Sequence, residues 1–198
     1  MKRSIWIILI TLILDQALKI WVKTHMYLGQ EYQILDWFYI HFTENNGMAF
    51  GMEFGGDWGK LALSLFRIIF VGFIASFLLK LVRKNADKIL ITSLSLILAG
   101  AIGNILDGAF YGMLFSESYH QLASFLPEGG GYAPLFFGRV VDMFYFPMFK
   151  GYLPEWIPFW GGDYYVFFRP VFNIADAAIS IGVGIMILFQ KRVMKELE

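Results

Sequence analysis

Four stretches of this chain stay apolar for so long that water is an unsuitable solvent for them. They cover residues 5–22, 61–82, 89–107 and 171–189, and a bilayer crossing takes about 20 residues of helix. In hydrocarbon the backbone must satisfy its own hydrogen bonds, so each stretch is predicted to be a transmembrane helix. The chain is 58% hydrophobic and only 16% charged, which fits a small polytopic membrane protein and not a soluble domain. The predicted fold class is therefore a membrane all-α bundle of four transmembrane helices, a single domain over residues 1–198. The first stretch follows Lys2 and Arg3 as a signal peptide would. No small-residue cleavage site follows it, however, and Asp15 and Lys19 interrupt it, so it reads as a retained helix.

Positive charge sets the expected orientation. Lys2 and Arg3 precede the first helix, Lys80, Arg83, Lys84 and Lys88 lie between the second and third, and Lys191, Arg192 and Lys195 follow the fourth. All three groups are cytoplasmic by the positive-inside rule, which places both termini inside. The connections 23–60 and 108–170 then face outward. Of the chain's 37 aromatic residues, 20 fall between Phe110 and Phe168. Rings at that density suit a surface lying in the headgroup layer, or a compact outer subdomain that buries them in its own core. The net charge of zero offers no bulk attraction to nucleic acid. With no cysteine there are no disulfides, thiolate metal sites or cysteine nucleophiles.

Ionisable residues in membrane helices are costly and mark candidate sites. Asp15 and Lys19 are four apart and share a helix face. Asn104 and Asp107 stand at the outward end of the third helix, Asn173 and Asp176 at the outward start of the fourth, and Asp142 in the outer connection just before it. Four carboxylates from four segments are thus expected at one membrane level. The histidines are scattered, there is no His-Glu-x-x-His pattern, and no Gly-x-Ser-x-Gly elbow is present. Carboxylates without these partners point to acid–base chemistry, in which one member of a close pair keeps a proton while the other is charged. The residues alone do not select which two. Asp15 with Lys19 reads first as a structural pair, Asn104 and Asn173 can bridge helices, and Arg67 in the second helix snorkels or pairs. A transporter or proton relay would need polar residues through the membrane's depth, and the inner halves of the third and fourth helices hold few.

Five stretches, taken in order, resemble the bacterial lipoprotein signal peptidases (signal peptidase II), a family of membrane aspartyl peptidases. They are Asp15-Gln16-Ala17-Leu18-Lys19, Asn45-Asn46-Gly47-Met48-Ala49-Phe50-Gly51, Gly100-Ala101-Ile102-Gly103-Asn104-Ile105-Leu106-Asp107, Gly138-Arg139-Val140-Val141-Asp142 and Phe172-Asn173-Ile174-Ala175-Asp176. The resemblance covers nearly the whole chain. It implies a small β-containing outer subdomain and hydrolysis of the peptide bond before a diacylglyceryl-modified cysteine in prolipoproteins. It places Asp142 and Asp176 at the catalytic positions. Asp15, Lys19, Asn45, Asn104, Asp107 and Asn173 stand at the family's other functional polar positions, orienting the dyad or binding substrate. It further implies no metal or organic cofactor, contact with membrane lipids, sensitivity to globomycin, and a place in the bacterial cytoplasmic (inner) membrane with the site at the outer leaflet. A monomer is the expected state. Two features depart from the family pattern. Gly108 stands where an arginine is usual, with Arg139 or Arg169 as substitutes, and the outer connection is longer in 110–137 and 149–168.

Overall fold

The structure, a computed structural model, describes residues 1–47 and 56–197. The Met48 to Gly51 part of the second motif lies outside the described residues. Helix α1 (Lys2–His25) leads into strands β1 (Glu31–Leu35) and β2 (Phe38–Asn45), followed by α2 (Gly56–Arg83) and α3 (Lys88–Leu106). The α2–α3 connection is a tight helix stop. Asn85 takes φ 54°, Ala86 N–H reaches back to the Leu81 carbonyl (3.0 Å) and Asn85 N–H to Val82 (3.2 Å), the pattern that closes a helix through a left-handed residue. Asp87 then caps α3 by accepting the Ile89 N–H at 2.7 Å.

Helix α3 does not stop at Asp107, as the apolar run suggests. It widens into a π-helical turn over Asp107–Tyr111 and ends in a short turn, α4 (Gly112–Leu114). Beyond it come β3 (Val140–Tyr145), the hairpin strands β4 (Phe149–Tyr152) and β5 (Tyr164–Phe167), β6 (Val171–Phe172), α5 (Ile174–Leu188) and α6 (Gln190–Leu197). Strands β1-β2-β3-β6 form one antiparallel sheet, and β4 and β5 form a separate pair.

Among the described residues, three helices are long and apolar enough to cross a membrane: Lys2–His25, Trp58–Arg83 and Lys88–Leu114. The fourth apolar stretch differs from expectation. Its first residues are strand β6, its helix begins only after the cap residue Asn173, and it bends by 85° at Phe189 into polar α6. The bend has a physical reason: Lys191, Arg192 and Lys195 resist hydrocarbon, while Val193 still packs into the core with Leu90 and Leu94 and Arg192 pairs with Asp87 at 2.7 Å.

Helix α3 is the central member, packed on α5, α1 and α2. Small residues permit the close approach to α5. A Cβ on Gly100 would collide with the Ala175 carbonyl and Ile179, and one on Gly182 would sit 2.7 Å from the Ser93 carbonyl. Apolar side chains on the outer faces, such as Ile13, Phe66, Ile69 and Phe73, are exposed, as a lipid-facing surface requires.

The aromatic outer connection divides in two. From 110–137, Tyr111, Phe115 and Ala123 enter a buried cluster with Val22, Phe42, Val141 and Met143. In the β4–β5 hairpin the rings stay outside: Tyr152 is 75% exposed, Trp156 79% and Phe159 97%.

Replacing Gly100 by Ala is expected to destabilise the fold by about 1–3 kcal/mol through overpacking, whereas Gly184→Ala, where a Cβ meets nothing within 4 Å, is expected to be neutral. Thermal denaturation in detergent compares the two.

Candidate active site

Lys19 is completely buried, and an ammonium there must use all its donors. It does so: Nζ lies 2.9 Å from Asp15 Oδ2, 2.7 Å from Asp107 Oδ2 and 3.0 Å from Asn104 Oδ1. The (i, i+4) spacing of Asp15 and Lys19 puts both on the α1 face that meets α3. Gln16 completes this knot, donating to Asp107 Oδ1 (2.9 Å) and accepting from the Tyr111 hydroxyl (3.1 Å). The π-helical turn brings Asp107 and Tyr111 toward α1 together.

Each carboxylate of the knot then holds a backbone N–H. Asp15 Oδ1 accepts from Ala175 N–H at 2.9 Å, and Asp107 Oδ2 accepts from Val141 N–H at 3.3 Å. Ala175 directly precedes Asp176, and Val141 directly precedes Asp142. The two buried carboxylates therefore fix the main chain beside the other two.

Asn173 stands between Asp142 and Asp176. It is the N-cap of α5 in a reciprocal capping box: its Oδ1 accepts from Asp176 N–H at 2.9 Å, and Asp176 Oδ2 accepts from Asn173 N–H at 3.4 Å. Its side-chain amide donates to Asp142 Oδ1 at 2.7 Å. Asn45 donates to Asp142 Oδ2 at 2.5 Å, and Asn104 donates to Asp176 Oδ1 at 2.8 Å. Asn45 is itself held by a turn in which its Oδ1 accepts from Gly47 N–H at 2.6 Å, with Gly47 at φ +84°. All eight sequence-predicted site residues thus join one hydrogen-bonded network.

Asp142 is 5% exposed, and Asp176 is half-buried at the mouth of the network. Burial, reinforced by the charge of Asp176, pushes the Asp142 carboxyl up to about 7; Lys19 and the amides of Asn45 and Asn173 oppose that rise. A carboxyl in this range holds a proton near neutrality and can give it up. Among the described residues, no group of three or more His, Asp and Glu side chains is arranged to hold a metal ion. Ser180, one turn deeper on α5, is exposed and apart from the network.

Several contributors were not singled out from sequence. Gln16 lay inside a recognised stretch but without a role. Arg67 reaches from α2 to the Gly47 carbonyl and lies within electrostatic range of Asp176. With Asn104, Gly108 and Phe136 it lines a narrow cleft, so the arginine beside Gly108 comes from another helix. Arg139 is instead engaged by Glu44 (3.2 Å) and Glu117 (2.5 Å), and Arg169 lies by the β4–β5 hairpin. An arginine in the middle of an apolar helix gives no signal for where its side chain ends.

Comparison with known proteins places the chain in a family. The family model described as signal peptidase (SPase) II matches residues 7–191. The lipoprotein signal peptidase of Porphyromonas gingivalis is 54% identical over 187 residues, covering 94% of this chain and 81% of the relative. That of Amoebophilus asiaticus is 39% identical over 198 residues, covering 95% and 79%. Among solved structures, two bacterial membrane enzymes share the fold. One has a TM-score of 0.62 at 24% identity, covering 99% of this chain and 92% of the other. The second has a TM-score of 0.59 at 26% identity, covering 95% and 92%. The chain belongs to the signal peptidase II family.

Proposed function

We propose that this chain is a membrane aspartyl endopeptidase that removes the signal peptide from diacylglyceryl-modified prolipoproteins, cutting before the lipidated cysteine. The observation that carries this reading is the Asn173 bridge, which presents two carboxyl groups of unequal burial side by side, one of them holding a proton near neutral pH.

In the proposed reaction Asp142 donates its proton toward the scissile carbonyl oxygen, and carboxylate Asp176 takes a proton from water. The water oxygen bonds to the carbonyl carbon. The tetrahedral species collapses as the C–N bond breaks, the amine leaves with the proton held on Asp176, and Asp142 recovers its own from the hydroxyl. Asn45, Asn104 and Asn173 hold the carboxyl oxygens, and Arg67 fixes the turn at Gly47 beside them. Asp15, Lys19 and Asp107 orient the dyad without touching substrate. The residues present carry each of these steps themselves, as a single peptidase domain acting as a monomer.

Four crossings, with α5 as the last, put Lys2, the Lys80–Lys88 cluster and Lys191–Lys195 on one side and the dyad on the other. Fifteen residues of α5 rise only about 22 Å, so β6 and α6 complete the span in the interfacial layers. The dyad then lies at the outer leaflet of the cytoplasmic membrane, where a lipid-anchored substrate arrives laterally. The exposed rings of the β4–β5 hairpin lie in the same headgroup layer, as Trp and Tyr prefer. A two-stranded hairpin is marginal alone, and lipid contact gives it support.

Asp142→Asn and Asp176→Asn are each expected to insert and fold normally yet lower kcat on a diacylglyceryl prolipopeptide by at least about 10²–10⁴-fold, with the parent inhibited by globomycin; unimpaired turnover in either variant overturns the dyad. For the parent, kcat/KM is expected to fall as pH rises through about 7, because Asp142 then loses its proton. Asn45→Ala removes a hydrogen bond that favours the charged form, so this alkaline limb moves to higher pH. The chain has no cysteine, so Phe159→Cys can carry a polarity-sensitive fluorophore. In nanodiscs its emission is expected to shift to the blue and be quenched by nitroxide-labelled lipid, and water-like, unquenched emission argues against lipid contact.

A further inference from the structure

One helical turn beyond Lys19, a second lysine is buried just as completely. Lys23 has no exposed surface and no part in the dyad network. Its Nζ pairs with Glu44 and donates to Ser118 Oγ at 2.8 Å. The rings of Phe42, Phe115 and Tyr132 enclose it, with centroids at 6.0, 5.6 and 4.9 Å. The other Glu44 oxygen lies 3.2 Å from Arg139 Nη1, which lies 2.5 Å from Glu117 Oε1. Two cations thus face two carboxylates. The main chain follows: Ala123 N–H donates to the Lys23 carbonyl (3.2 Å), Leu28 N–H to the Ser118 carbonyl (3.0 Å), and Arg139 N–H to the Tyr132 hydroxyl (2.7 Å).

Ser118, Ala123 and Tyr132 belong to the inserted segment 110–137, for which the sequence suggests no role. Glu44 lies in β2, and Arg139 directly precedes β3, the strand that carries Asp142. Glu44 precedes Asn45, the donor to Asp142, and stands opposite Val141 in the β2–β3 ladder. Immediately before Thr43 the ladder is irregular: Ile40 pairs with Phe144 and Thr43 with Asp142, so two residues of β2 face one of β3. A bulge leaves one residue unpaired and disrupts the ladder locally, and a one-residue slip would turn Asn45 away from Asp142. Buried ion pairs add little stability over apolar packing, but they can fix register.

We propose that Lys23, Glu44 and Arg139 are positioning residues that lock the β2–β3 register beside Asp142, and that the inserted segment 110–137 is the clamp supplying the rest of this ionic core. The inference rests on the aspartyl-dyad reading. Among the described residues, the charged groups facing Asp142 are Asp176 from α5 and Lys19 from α1, the latter held between Asp15 and Asp107; Arg67 from α2 faces Asp176. The substitutions below alter none of these.

The test is the volume-conserving pair Lys23→Met with Glu44→Gln in one protein, with Ser118→Ala as a milder variant, reconstituted in nanodiscs. Each is read by thermal denaturation, by kcat and KM on a diacylglyceryl prolipopeptide, and by the infrared band of the Asp142 carboxylic acid, identified by its loss in Asp142→Asn. Expected for the double variant are a melting temperature close to the parent's, kcat lower by about 10–100-fold from misplaced groups, unchanged KM, and titration of the band at higher pH because Asn45 is lost. Ser118→Ala is expected to move both readouts the same way by less, and Lys23→Arg to restore part of them. Parent-like kcat and band titration in the double variant overturn the proposal, as does activity that falls only in step with stability across the set. If the parent itself fails to cleave the peptide, the proposed function fails while the band titration still decides the register lock.

Discussion

A lysine ammonium sealed from water has to spend every donor on the protein around it, and that constraint organises the acids around it. Lys19 binds Asp15, Asp107 and Asn104 at once, tying α1 to α3 at one depth. The two neutralised carboxylates are then free to accept backbone N–H groups, and those belong to the residues just before Asp142 and Asp176. Order therefore passes from one buried charge to the main chain beside Asp142 and Asp176. An apolar bundle with a loose polar patch would not hold two acids at a fixed separation.

The second requirement is close approach. α5 can bring Ala175 and Asp176 to Asp15 and Asn104 because Gly100 and Gly103 leave no side chain in the way; a Cβ on Gly103 would lie 2.7 Å from Asp15 Oδ2. The π-helical turn at Asp107 performs a related task, turning Asp107 and Tyr111 toward Gln16. Above this layer the two long insertions behave differently. Residues 110–137 fold onto the sheet and share its buried core, while the β4–β5 hairpin leaves its rings outside.

Much of this was legible in the chain. Apolar run length gave three of the long helices, and the spacing of Asp15 and Lys19 gave a shared face. Five ordered stretches pointed to the family. The parts that were not legible depend on contacts distant in sequence. Arg67 was read as snorkelling or pairing, and only the fold shows its partners, a carbonyl twenty residues away and the charge of Asp176. Lys23 fell in the connection 23–60 and was given no role, because its partners Glu44 and Ser118 are not its neighbours in sequence. The fourth helix begins later than its apolar run because hydropathy counts Val171 and Phe172 alike whether they are strand or helix, and only the Asn173 cap separates the two.

The sequence by itself determined the local properties: which segments are apolar, which residues can share a helix face or cap a helix, and which acids stand near the helix ends. It did so because run length, spacing and capping depend on neighbours within a turn or two. Only the tertiary structure decided that Asp142 is the buried member and Asp176 the half-buried one, and that a single asparagine joins them. Burial and electrostatic coupling depend on distances in space, and those were set when four segments far apart in the chain packed around Lys19.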